Sequence, residues 1–226
     1  ATPRIDVEER GGVPVVRVRP ADVGRVERAD LYYCLNNDFP TTRFWRKVTD
    51  VRREGGEFLG PAPFLSREDV LFAFANVTYK SGVRISSALV RRAARDLPGV
   101  RPTLQRQALI DAMDTGRDWN WVPAYTDPCR DDRFFADWTG PGGERGFTLD
   151  PKTFNRAGPM SFHFGTRKVG DPQFRGSGKK ALLLDHLAAH APERLTLRVT
   201  NRPPGMTPTE FTAAPPAATG DGAWRT

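Results

Sequence analysis

Two aromatic, β-branched segments constrain this chain most: ADLYYCLNNDFPTTRFWRKV over Ala29–Val48 and VLFAFANVTY over Val70–Tyr79. Side chains of this type crowd the preceding turn of a helix and pack well on a pleated strand surface. A third segment, GPMSFHFGTRKVGDPQFRGSGKKALLLDHL over Gly158–Leu187, has the same character. VPVVRVR (Val13–Arg19) alternates apolar and basic residues, as a half-buried strand does. Leu31–Leu35 and Val70–Tyr79 read as further strands, with Pro, Gly and Asn clusters between them. Short strands at this spacing predict an antiparallel sandwich of the immunoglobulin or fibronectin type over residues 1–92. Trp45 and Phe44 are expected to be its largest core contributions.

From Arg91 the pattern turns basic and helix-permissive, then stops at Pro98-Gly99, so residues 93–102 are expected to be a linker. Strands resume at Gly146–Leu149, Met160–Gly165, Ala181–Leu187 and Leu195–Val199, joined by long loops rich in Gly, Pro and Trp. That arrangement predicts a jelly-roll-like sandwich over residues 103–226 with a binding site on its loops. The expected fold class is therefore all-β, with two antiparallel β-sandwich modules. Trp224 stands where another strand starts, and 103–200 alone would want further strands to close. The expectation is that the natural chain continues or that a partner orders this tail.

The 226 residues suffice for one large or two small domains, and no apolar run approaches the roughly 20 residues that span a bilayer. ATPRIDVEER lacks the basic-then-apolar pattern of a secretion signal. The net charge of +7 invites a nucleic-acid reading, but it is spread almost evenly, +4 over residues 1–100 and +3 over 101–226. Nucleic-acid binders concentrate such charge on one face. With 28 Arg against 6 Lys, genome composition explains the bias more simply than phosphate recognition. Neither nucleic acid nor membrane is expected as a partner. Cys34 and Cys129 are far apart, without CxxC spacing; isolated cysteines of this kind are more often buried thiols, and a bridge between them stays open.

The motifs that would carry catalysis are missing. No GxSxG elbow occurs, and His163, His186 and His190 follow no triad-like pattern. His186 and His190 would share a face in a helix and form a two-histidine metal pair, but a strand ending in a turn is the stronger reading of LLLDHLAAH. Gly176-Ser177-Gly178-Lys179-Lys180 fails as a phosphate loop, because Gln173 stands where a Gly is needed and Lys180 where Ser or Thr is needed. Asp127, Asp131 and Asp132 could hold a structural calcium on a loop, against the plainer reading of solvated carboxylates. No other cofactor is expected. The strongest candidate site is Trp119, Asn120, Trp121, Tyr125 and Trp138, with Arg175 further on. Sugar rings lay their C–H faces on such rings while Asn and Arg meet their hydroxyls. The same density of rings also suits a buried core or a face packed on another domain, which is the plainer reading.

Through DLYYCLNNDFPTTRFWRKV and LFAFANVTYKSG, residues 3–90 resemble the all-β region that follows the catalytic domain in bacterial secreted α/β-hydrolases of the acetylxylan-esterase-like or pathogenicity-related type. Through FHFGTRKVGDPQFRGSG and ALLLDHL, residues 103–226 resemble the carbohydrate-binding-like jelly roll that can follow it. The resemblance implies a secreted or cell-envelope accessory region that binds polysaccharide or packs on a catalytic hydrolase domain. No catalytic residue carries over. Two alternatives stand beside it: a stand-alone polysaccharide-acting jelly roll, with Tyr125 or His163 as acid/base and Arg175 facing a uronate, and a purely structural protein-interaction module.

Overall fold

The computed structural model describes residues 1–40, 43–110, 135–139, 143, 145–149, 167–174, 186–187, 197–201, 209–213 and 224–225. Every strand pairing among them is antiparallel, and their only helical turns are 3-10 turns of three residues. The protein is all-β, as its alternating segments require. It divides into two compact units, Ala1–Gly176 and Ser177–Thr226.

Two sheets make the sandwich of the first unit. The first has the order β1-β2-β6-β5, built from Arg4–Arg10, Val13–Arg19, Glu57–Pro61 and Arg52–Glu54. Gly11-Gly12 and Gly55-Gly56 join its two hairpins, with φ of 61°, 84°, 55° and 86°. Positive φ at both loop residues is the turn whose twist matches the flanking strands, and glycine adopts it without a Cβ penalty.

The second sheet has the order β4-β3-β7-β8, built from Arg46–Lys47, Val26–Leu35, Val70–Tyr79 and Arg84–Ser86. Strand β9 (Val90–Ala93) pairs with the first half of β7, so β8 and β9 share one edge in succession. The strands expected at Val13–Arg19 and Val70–Tyr79 are β2 and β7, and the one expected at Leu31–Leu35 begins earlier, at Val26.

Period-two alternation fills the space between the sheets. Val7, Val16, Val18 and Phe58 come from the first sheet, and Ala29, Leu31, Tyr33, Leu35, Leu71, Ala73, Ala75 and Val77 from the second. Phe64, which lies on the connection between β6 and β7, is fully buried among them. Gly60 lets β6 approach the chain closely, because a Cβ there would clash with Val48 Cγ1.

Two expectations meet a different arrangement. Trp45 and Phe44 are only half-buried and take no part in the core cluster. Trp45 precedes β4 and turns to the outer face of the second sheet, while Phe44 packs edge-on to Phe174, with ring centroids 5.9 Å apart. Residues 93–102, expected as a linker, instead contribute Ala94, Leu97 and Val100 to the core. A 3-10 turn at Ala94–Asp96, anchored by Ala94 N–H donating to Asp69 O at 2.8 Å, brings them there.

Two of the later expected strands, Gly146–Leu149 and Leu195–Val199, overlap observed strands, and each pairs with a strand that was not expected. Arg145–Leu149 (β11) pairs with Phe135–Thr139 (β10), and Leu197–Asn201 (β13) pairs with Thr209–Ala213 (β14). His186–Leu187 (β12) pairs with Trp224–Arg225 (β15), so His186 lies on a strand. The segment 160–165 lies outside the described residues. Among the described residues no helix is long and apolar enough to cross a membrane.

Candidate functional site

The two outward faces of the sandwich differ in chemistry. On the first sheet, Glu8 pairs with Arg10 at 2.6 Å and Arg17 at 3.1 Å, and Glu57 pairs with Arg19. That is the solvated, polar face expected of an antiparallel sheet covered on one side. On the second sheet the same alternation turns out Asp30, Tyr32 and Cys34 from β3, and Phe72, Phe74 and Asn76 from β7, since their neighbours point into the core. The register sets Tyr32 opposite Phe74 and Cys34 opposite Phe72. Tyr32 and Phe74 stack with centroids 5.0 Å apart and planes 14° apart. Trp45 meets Phe74 edge-on at 4.7 Å.

Polar groups rim these half-buried rings. The guanidinium carbon of Arg43 lies 4.4 Å from the Phe72 centroid and 5.5 Å from that of Trp45. Arg91, opposite Phe72 on β9, approaches the same ring at 5.8 Å. Ser86 Oγ donates to Asn76 Oδ1 at 2.7 Å, and the Asn76 amide nitrogen has no partner among the described residues. Asp30 takes Lys47 Nζ and Arg28 Nε, each at 2.9 Å. Burial works against its negative charge, but the hydrogen bonds and positive charges of Lys47 and Arg28 prevail, and its pKa lies below the ordinary value.

Cys34 is turned to this face and is nevertheless buried. Burial pushes its thiol from 9.0 up to about 12; Arg43 and Arg46 oppose the rise, while Asp171 and Asp38 add to it. A raised folded-state pKa means that the thiol contributes stability below the unfolded value near 9, and that this contribution is lost as pH rises toward 12. Native Cys129→Ser protein should therefore leave Cys34 unreactive to a disulfide reagent at pH 8 over an hour, and release one equivalent promptly in 6 M guanidinium. Prompt reaction of the native variant would mean that the site opens readily.

A second cluster sits at the β4 edge. Arg46 clasps Asp171 with two hydrogen bonds, one of them Nη1 to Oδ2 at 2.8 Å, and donates from Nη2 to Gln173 Oε1 at 3.0 Å. Gln107 N–H donates to Gln173 O at 2.8 Å, and Arg106 Nη1 to Pro172 O at 3.3 Å. This cluster fixes the turn at 167–174 and offers no open chemistry. Beside it, burial raises the pKa of Tyr33 from 10.0 to about 12.

Of the residues anticipated as a sugar site, Trp138 lies on β10 opposite Gly146. Trp119, Asn120, Trp121, Tyr125 and Arg175 lie outside the described residues, as do Asp127, Asp131 and Asp132. His163 and His190 also fall outside them. Among the described residues no group of three or more His, Cys, Asp or Glu side chains could hold a metal ion. The aromatic face of the second sheet went unrecognised as a surface, although its segments were read as strands. The parity of Tyr32 and Phe74 against Leu31 and Ala73 was the available signal.

No family model matches this chain, and no curated protein matches it. A solved structure described as the Br derivative of BhCBM56 is similar over 41% of this chain and 91% of that one, at 16% identity and a TM-score of 0.31. The sandwich is established by its own strand register.

Proposed function

We propose that this chain binds polysaccharide without acting on it, through Tyr32, Phe74 and Trp45 on the outer face of the second sheet. The observation that carries the reading is the contrast between the two outer faces: the first is covered by ion pairs, while the second adds to its Asp30 ion pairs a group of half-buried rings rimmed by donors. Rings left on a sheet face are what saccharide C–H surfaces stack on, and Asn76 and the Tyr32 hydroxyl suit sugar oxygens. No catalytic residue enters this reading. Cys34 and Tyr33 stay protonated at neutral pH, and Asp30 and Asp171 are engaged by cations.

In this proposal the chain serves a secreted or cell-envelope hydrolase by holding it near its polymer, which raises the local substrate concentration. Trp119, Trp121, Tyr125, Trp138, Asn120 and Arg175 would add a second set of sugar contacts, and Asp127, Asp131 and Asp132 would hold a structural calcium.

Affinity electrophoresis against plant and algal polysaccharides tests the assignment. Tyr32→Ala/Trp45→Ala should weaken retardation at least tenfold, roughly what an aromatic anchor contributes to an interface. Trp119→Ala/Trp121→Ala, run beside it, reports on the second set. Unchanged retardation in a folded Tyr32→Ala/Trp45→Ala variant would remove the site from this face.

A further inference from the structure

Resting on the saccharide reading of this face, we propose that its ligand is an acidic polysaccharide, and that Arg43 and Arg91 meet a uronate carboxylate beside the Trp45 ring. Two buried or half-buried guanidiniums lie in this part of the fold, and they are treated differently. Arg46 has Asp171 as a bidentate counter-ion. Arg43 is only 5% exposed, yet it has no carboxylate partner among the described residues. Its Nε donates to Asn37 O at 2.8 Å and its Nη2 to Asp38 O at 3.3 Å, which fixes its direction without neutralising it. Two carbonyl oxygens and the faces of Phe72 and Trp45 compensate this buried cation only in part, and a bound anion would complete it.

Arg91 brings a second positive charge to the same ring. Its closest carboxylate is Asp38 at 4.0 Å, and both side chains are well exposed, 60% and 77%, so this pair neutralises little. The Arg43 and Arg91 guanidinium carbons thus lie 4.4 and 5.8 Å from one centroid, that of Phe72. Nearby, Asp30 is already shared by Arg28 and Lys47 and leaves no negative charge to balance them. A guanidinium fork matches a carboxylate's two oxygens. With Trp45 against Arg43, one sugar residue could stack its ring on the indole and direct its carboxylate at the two arginines.

The test is affinity electrophoresis of the full chain against four polymers: polygalacturonate, its fully methyl-esterified form, neutral xylan and dextran sulfate. Arg91→Gln is the principal variant, and Arg43→Gln is added once circular dichroism shows it folded. Polygalacturonate should bind about tenfold more tightly than its ester, and Arg91→Gln should weaken it about fivefold while leaving the ester unchanged. Equal binding of acid and ester, or an equal effect of Arg91→Gln on both, would overturn the charge preference and leave the saccharide reading standing. Dextran sulfate binding as tightly as polygalacturonate would reduce the site to ion exchange and also overturn the proposal. Retardation by none of the polymers would bring down both readings.

Discussion

Asp171→Ala should destabilise the first unit by about 3–5 kcal/mol, the usual loss when one partner of a buried ion pair is removed. The side chains of Arg46 and Asp171 are 9% and 1% exposed, so deleting the carboxylate strands a desolvated guanidinium. It also removes the acceptor for Gln173 N–H, at 2.9 Å, from inside the turn. Urea unfolding followed by intrinsic fluorescence would measure the loss, with an unchanged slope showing that stability alone has moved. The Arg46→Met/Asp171→Leu double variant should recover most of it, because two apolar side chains leave no charge unpaired. A loss under about 1 kcal/mol in Asp171→Ala would mean that water reaches the pair and that the turn at 167–174 is held by its backbone contacts instead.

That clamp shows why part of the molecule was hidden from a reading of its sequence. Arg46 and Asp171 stand 125 positions apart, and neither carries a local pattern that names the other. Strands β2 and β7 were legible to the residue, because Val13–Arg19 and Val70–Tyr79 place strand-forming residues between clear turn signals. Strand β3 was found only from Leu31, since its first half, VERAD, carries charges on the outer face and a register shift between Val26 and Arg28. The Gly-Gly pairs at 11–12 and 55–56 marked two hairpins and were available as signals. Residues 94, 97 and 100 are buried at a spacing of three, which imitates a helix although a 3-10 turn and extended chain deliver them.

The candidate site was legible in a similarly partial way. Its rings stood out in both segments, but hydrophobic size alone assigned Trp45 and Phe44 to the interior. Which side of a sheet a residue faces depends on pairing, and one step of register inverts it. Trp45 follows a stretch without period, so only the observed edge contact with Phe74, itself opposite Tyr32, settles its side.

Phe64→Ala and Trp45→Ala separate core from surface most sharply. Phe64 is 0% exposed in the middle of the core cluster, so its truncation leaves a cavity and should cost about 3–5 kcal/mol. Trp45 is half-buried and lies against Phe74 and Arg43 on the outer face, so its truncation should cost about 1 kcal/mol, mostly from the lost ring contacts. Polysaccharide retardation should behave in the opposite way: nearly unchanged for Phe64→Ala protein under conditions where it stays folded, and at least tenfold weaker for Trp45→Ala. Thermal unfolding and affinity electrophoresis on the same two preparations give both readouts. If Trp45→Ala proves as destabilising as Phe64→Ala and binding follows stability in both, the indole is a structural element, and the second sheet's outer face loses its strongest claim to a ligand.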